Sequence, residues 1–237
     1  MSGETTESVY LTHPQTCAAD DYWGQVRRTV NGQPLPQRQI DLIVDAMAEA
    51  LDLGAQDRLL DLCCGNGALT TYWFARCAGG LGVDFSPYLV DIARQRFSHG
   101  PHERYHIESV LTFAQGPQPY GAFDKAVCYG SLQYLRRSDV AALLRGLRRA
   151  QPTLQRLVLG NVPDRDLVAA FARPGVDVPL DDPESAIGCW WGAADLRAVA
   201  EDAGWDLQVR RMPSEFYSAH YRFDAVLTPR PNEREGT

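Results

Sequence analysis

The chain has 237 residues, 45% of them hydrophobic, with a formal net charge of −7 and six cysteines. That composition supports a folded domain and excludes wholesale disorder. The densest basic clusters are Arg136 with Arg137 and residues 145–149, too short for a phosphate track, so no nucleic-acid partner is expected. The cysteines form no C-x-x-C pair and no zinc spacing, so no metal is expected, and reduced thiols point to a cytoplasmic location. No stretch resembles a signal peptide or approaches membrane-spanning length, so no membrane partner is expected either.

Residues 1–20 are polar and read as a loose leader. Residues 21–28, DYWGQVRR, are aromatic and basic, and residues 31–36 are turn-rich. Together residues 1–37 form a leader or lid ahead of one domain over residues 38–237. Ile40, Ile43, Val44, Met47 and Leu51 recur at helical spacing, with Gly54 as the expected stop. Residues 58–63 have strand length, residues 68–77 favour helix, and Gly82-Val83-Asp84 ends a second strand. Ser86 and Pro87 open the next helix as N-cap and first helical position. Strands are expected over residues 104–108 and 123–129, then a helix capped by Ser138 with Val140, Leu143, Leu144 and Leu147 on one face. Another strand, residues 157–160, runs into Asn161-Val162-Pro163-Asp164. Residues 165–192 are rich in Pro and Asp and read as an insertion. A helix over residues 193–203, closed by Gly204, precedes two strands at residues 205–212 and 221–227, and the tail from Pro229 is expected to fray. The alternation implies an α/β fold with helices on both faces of a mainly parallel sheet. The short link between the last two strands makes them antiparallel.

In such sheets ligands sit at the carboxyl ends of the strands. The stretch DLCCGNGALT, residues 61–70, lies at one of these ends. Gly65 and Gly67 allow a tight turn and close approach of a ligand to backbone. Asp84 is placed to accept hydrogen bonds from both hydroxyls of a ribose, and Glu108 from an adenine amino group. A carboxylate at Asp61 would repel a pyrophosphate and suits a cationic ligand. S-adenosylmethionine has a sulfonium, an ammonium and no phosphate. An NAD-dependent oxidoreductase is the competing enzyme class; Asp61 and the missing third glycine argue against it. A non-catalytic cofactor-binding protein is a third reading.

Residues 59–67, LLDLCCGNG, resemble motif I of the class I S-adenosylmethionine-dependent methyltransferases, roughly h-h-D-h-G-C-G-x-G, with Cys63 in place of the first glycine. Residues 82–86 resemble the ribose-binding strand end of that family. Glu108-Ser109-Val110 resembles its adenine segment, usually Asp-Ala, and residues 123–128 its F-D-x-V motif. The resemblance spans roughly residues 38–227. It implies a Rossmann-like class I methyltransferase fold, with a seven-stranded mainly parallel sheet whose last strand is antiparallel. It also implies S-adenosylmethionine held by Asp61, Cys63, Gly65, Asn66, Gly67, Asp84, Phe85, Glu108, Ser109, Val110 and Cys128. Tyr22, Trp23 and Arg27 would fold over the cofactor, an arginine pairing the methionine carboxylate. The cysteines are then small loop residues. Cys128 as a covalent nucleophile, as in pyrimidine C5 methylation, is disfavoured by its Cys-Tyr-Gly-Ser context. That segment also lacks an N-P-P-Y tetrad and an acidic metal ligand.

His220 is the candidate general base, with Tyr217 and Tyr134 beside it as catalytic candidates. Gln133, Asn161, Trp191 and Tyr221 are candidate acceptor contacts, and the insertion near residues 165–192 would shape the acceptor pocket. The expected function is methyl transfer to an oxygen of a small molecule in bacterial secondary metabolism, the alternative being a nitrogen of an amino sugar or amine. A monomer or homodimer is expected.

Overall fold

The computed structural model describes residues 5–116, 119–172 and 177–231. The chain begins with α1 (Thr6–Thr12), a 3-10 turn (His13–Thr16), α2 (Tyr22–Gln25) and a small hairpin of β1 (Thr29–Val30) and β2 (Gln33–Pro34). Then follow α3 (Gln37–Leu51), β3 (Leu59–Leu62), α4 (Thr70–Phe74), β4 (Gly80–Asp84), α5 (Pro87–Arg96), β5 (Glu103–Ile107) and α6 (Val110–Gln115). The second half holds β6 (Lys125–Tyr129), α7 (Arg137–Ala150), β7 (Arg156–Pro163), α8 (Val168–Phe171), α9 (Ala193–Asp202), β8 (Trp205–Arg210) and β9 (Arg222–Pro229).

Seven strands form one sheet in the order β5-β4-β3-β6-β7-β9-β8. The first five are mutually parallel, and β9 lies between β7 and β8, antiparallel to both. Alternation along the strands sorts the core into two layers. Leu60, Leu62, Ala126, Cys128, Leu157 and Leu159 face α6, α7 and α9. Leu59, Val127, Tyr129 and Val158 face α3 and α4. Val140, Leu143, Leu144 and Leu147 of α7 are all fully buried, each contributing about 1.5–3 kcal/mol relative to exposure. The same alternation puts Asp61 on the face of Leu59, toward α4.

Several boundaries differ from the sequence reading. Residues 6–16 are helical, with Thr5 accepting from the Ser8 N–H as N-cap, so the leader is not loose there. Asp52, at φ +52°, caps α3 and Gly54 lies beyond its end. Arg136 takes the N-cap position of α7, and Ser138 falls inside the first turn. Only residues 70–74 of the 68–77 segment are α-helical. The polar tail after Pro231 and residues 173–176 of the insertion lie outside the described residues.

Candidate functional site

A cavity of about 390 Å³ opens at the carboxyl ends of β3 to β6, where the strand order reverses between β3 and β6. Its floor is the loop after β3. Cys63, Gly65 and Gly67 have φ of +61°, +57° and +77°, a left-handed path that turns the backbone around the cavity. For Cys63 this conformation costs about 1–2 kcal/mol that a glycine would not incur. Gly67 does not line the cavity. A Cβ there would meet Ala93 Cβ at 2.9 Å and Tyr105 at 3.0 Å, so its bareness serves the packing behind the loop.

Two buried carboxylates face the cavity. Asp84, at the end of β4, accepts from the Gly65 N–H at 2.9 Å through Oδ2 and from the Ser86 N–H at 2.9 Å through Oδ1. Burial pushes its pKa up, against the pull of those backbone donors. Each oxygen keeps a lone pair for a ligand hydroxyl. Asp61 is 3% exposed and accepts from Thr70 Oγ1 at 2.6 Å. Burial raises its pKa to about 7; the Thr70 bond and the nearby Arg28 guanidinium pull the other way.

The chain ahead of the domain is tied to this loop through Asn66. Its Nδ2 donates to the Tyr22 carbonyl at 2.8 Å and to Gln25 Oε1 at 2.9 Å, and its Oδ1 accepts from the Ala68 N–H at 3.2 Å. The tie carries Trp23 and Arg28 to the cavity wall. The Arg28 guanidinium lies 5.1 Å from the Tyr129 ring centroid and 5.9 Å from that of Trp23. Arg27, at φ +53°, marks a left-handed step in the chain, and it lies beside Tyr10 and Tyr134, outside the main cavity. Arg28 therefore lines the cavity, as does Arg136, where the sequence pointed to Arg27.

Of the expected cofactor contacts, Asp61, Cys63, Gly65, Asn66, Asp84, Phe85, Ser109, Val110 and Trp23 line the cavity, and Tyr134 joins them. The others lie elsewhere. Tyr22 packs edge-on against Phe97 at 5.0 Å. Cys128 is fully buried on the opposite face of β6, and its hydrogen bond together with burial pushes the Cys63 thiol well up. Glu108 does not line the cavity; its Oε2 lies 3.5 Å from His106 Nε2. His220 is exposed, its ring 4.8 Å from that of Tyr221, and Tyr217 packs on Phe216 at 4.7 Å. Gln133 is spent on the Gly130 carbonyl at 2.9 Å through Nε2. Asn161, at φ +60° in an irregular stretch of β7, is held by Ser218 and Asp224. Trp191 is buried under Arg137 at 4.2 Å, and Tyr221 packs against Trp190 and Phe171.

Thr6, Glu7 and Tyr10 of α1, which the sequence reading passed over, also line the cavity, with Pro183 and Glu184 of the insertion, which it did not name singly. Thr6 Oγ1 donates to the Pro183 carbonyl at 3.0 Å, and the Thr6 N–H donates to Glu184. Tyr10 lies tilted against Tyr134, ring centroids 5.7 Å apart; burial and that neighbour raise its pKa, so the phenol stays neutral. Residues 5–8 do carry a cap signal, Thr5 three places before Ser8, but nothing local ties it to the cavity. Among the described residues no group of three or more His, Cys, Asp or Glu could hold a metal ion, and no helix is long and apolar enough to cross a membrane.

The sheet order, the reversed β9 and the glycine-bearing loop after β3 make this the class I methyltransferase fold. The family profile described as "Methyltransferase domain" matches residues 59–151. The chain is 32% identical over 117 residues to the magnesium-protoporphyrin O-methyltransferase of Rhodobacter capsulatus, covering 48% of this chain and 49% of that one. It spans about half the length of the curated relatives it matches. Among solved structures, magnesium protoporphyrin IX methyltransferase of Synechocystis PCC 6803 with bound S-adenosylhomocysteine superposes with a TM-score of 0.60 at 20% identity, over 81% of this chain and 83% of that chain. The [4+2]-cyclase SpnF superposes with a TM-score of 0.63 at 19% identity, over 95% of each. Neighbours this distant speak for the fold alone.

Proposed function

We propose that the protein is an S-adenosylmethionine-dependent methyltransferase acting on an oxygen or nitrogen of a small molecule. The observation that carries this reading is the charge pattern of one cavity. Asp84 meets the loop at one point, Asp61 lies beneath it, and Arg28 stands beside Asp61. A ribose diol suits Asp84, an ammonium suits Asp61, and a carboxylate suits Arg28, which forms no ion pair among the described residues. A pyrophosphate would face both aspartates. The residues present therefore fit S-adenosylmethionine better than a dinucleotide. The magnesium-protoporphyrin relatives support a small-molecule acceptor.

Bound there, S-adenosylmethionine supplies an electrophilic methyl group on a good leaving group. The chain's own contribution is alignment and exclusion of water. Trp23 and Tyr129 hold the Arg28 guanidinium in place, and α1 with residues 183–184 covers the mouth. Tyr134 and Tyr10 are the polar lining groups on the acceptor side; His220 and Tyr217 stand outside the cavity. Their hydroxyls would orient an acceptor by hydrogen bonds. A cytoplasmic setting, which rests on the free thiols, and a role in secondary metabolism, which rests on the sequence resemblance, belong to the same proposal.

Calorimetry with S-adenosylhomocysteine, with NAD as control, tests the reading. The expected result is micromolar binding of the former, weakened at least tenfold by Asp84→Ala, about 1.4 kcal/mol. No binding, or a preference for NAD, would overturn it.

A further inference from the structure

The loop after β3 places a cysteine where the backbone favours glycine. Cys63 has φ +61°, a conformation that costs a cysteine about 1–2 kcal/mol. A strained residue held at a ligand site calls for a reason in its side chain. Cys63 is half-buried: it lines the cavity and also packs against the core layer that holds Cys128. The strands β3 and β6 are parallel neighbours with Asp61 opposite Val127, so the register brings Cys128 beside residues 62 and 63. Adjacent strands lie about 4.8 Å apart and each residue advances about 3.3 Å, which sets the two Cα atoms roughly 6 Å apart, within the span of a disulfide. The two side chains share a hydrogen bond, the largest influence on the Cys63 thiol. Cys64 turns away: its Sγ donates to the Gly65 carbonyl at 3.6 Å and lies beside Gly82.

We propose that Cys63 and Cys128 are a redox-active pair, closed to a disulfide by hydrogen peroxide that enters through the cavity, and that closure loosens cofactor binding. The Cys63 thiolate attacks one peroxide oxygen, the O–O bond breaks, and water is released, leaving a sulfenic acid on Cys63. The Cys128 sulfur then displaces that hydroxyl as a second water. Two thiols and one peroxide become one disulfide and two waters. Cys63 takes the first step because Cys128 is fully buried. Burial and the neighbouring thiol keep Cys63 protonated near neutral pH, so the pair resists weak oxidants and closes slowly. The bond draws Cys63 from the cavity toward β6. Two residues on, the Gly65 N–H donates to Asp84 at 2.9 Å, and that contact shifts with it. The loss of affinity rests on the reading of the cavity as an S-adenosylmethionine site; the disulfide itself does not.

The test treats the reduced chain with hydrogen peroxide at pH 8, with and without S-adenosylhomocysteine. Peptide mapping by mass spectrometry should find a link between Cys63 and Cys128 with the loss of two hydrogens, formed several-fold more slowly when S-adenosylhomocysteine is bound. Calorimetry should show its affinity lowered at least tenfold in the oxidised protein and restored by dithiothreitol. Cys128→Ala, outside the cavity lining, should bind like the reduced wild type, form no such link and show no loss that dithiothreitol reverses. Should that variant fail to fold, the link and its reversal in the wild type decide alone. Sulfinic or sulfonic acid on Cys63 without a link, a link only between other cysteines, or a link that leaves affinity unchanged overturns the proposal. Failure of the reduced wild type to bind S-adenosylhomocysteine is a different result: it removes the cofactor reading, and the mapped link, present or absent, then decides the redox pair.

Discussion

Asp61 is held against its own solvation. It is buried, accepts one hydrogen bond from Thr70, and has its pKa raised by burial to about 7 from an ordinary 3.8. Because the folded value lies above the unfolded one, its contribution to stability is fully present below pH 3.8 and is lost as pH rises to about 7. Asp224, raised by burial to about 6, acts in the same direction. Asp61→Asn should therefore stabilise the free protein, and the gain should grow by up to about 1.4 kcal/mol per pH unit between pH 5 and 7, then level off. Urea unfolding at pH 5, 7 and 8 checks this; a gain independent of pH would show that Asp61 is not titrating there. The same substitution should weaken binding of a cationic ligand, which is the usual conflict between stability and a charged site. The placement of Asp61 and Asp84 in the cavity was legible because both stand at the ends of strands beside a glycine-bearing loop. The choice between Arg27 and Arg28 was not. It depends on which of two adjacent side chains the chain turns inward, and the left-handed Arg27 is invisible in residue identity.

No residue of α1 is fully buried, Tyr10 being only partly covered, so packing on a core does not hold it. It is held through Thr6 to Pro183 and Glu184, and through Tyr10 to Tyr134. A seven-residue helix is marginal by itself. Glu184→Ala should leave the melting temperature within about 2 °C. It should speed hydrogen exchange over residues 6–16 and raise the dissociation rate of S-adenosylhomocysteine several-fold. Unchanged exchange in that segment would show that the latch carries no weight. The long helices read well from sequence: α3 and α7 bury the residues that their spacing selected. The helix α1 did not, because its partners lie more than 120 residues away in the chain and no periodicity encodes them.

One sheet serves two helical layers, and every central strand contributes alternate residues to each. Neither layer can lose its packing without exposing one face of the same strands. Unfolding should then be a single transition on both faces. Trp73 lies in the layer of α3 and α4, and Trp205 in that of α7 and α9. Fluorescence of Trp73→Phe and of Trp205→Phe, each dominated by the remaining indoles, should give urea midpoints that coincide with far-UV circular dichroism of the same variant. Separate midpoints would mean that the layers unfold independently.

Periodicity, strand-end carboxylates and glycine spacing were enough to define the α/β class, the strand sequence and the inner half of the site, Asp61 to Asp84. Those features are local: each follows from the conformations and polarity of neighbouring residues. The outer half was decided by folding in three dimensions. The sequence put His220 and Tyr217 in the acceptor pocket, whereas the bend of the chain after β8 leaves them outside the cavity lining. Tyr134, the third catalytic candidate, does line it, beside Tyr10 and Glu184, and the three come from distant segments. Their meeting depends on where a helix and a loop come to rest on a finished sheet, through single hydrogen bonds rather than through any repeating pattern of burial.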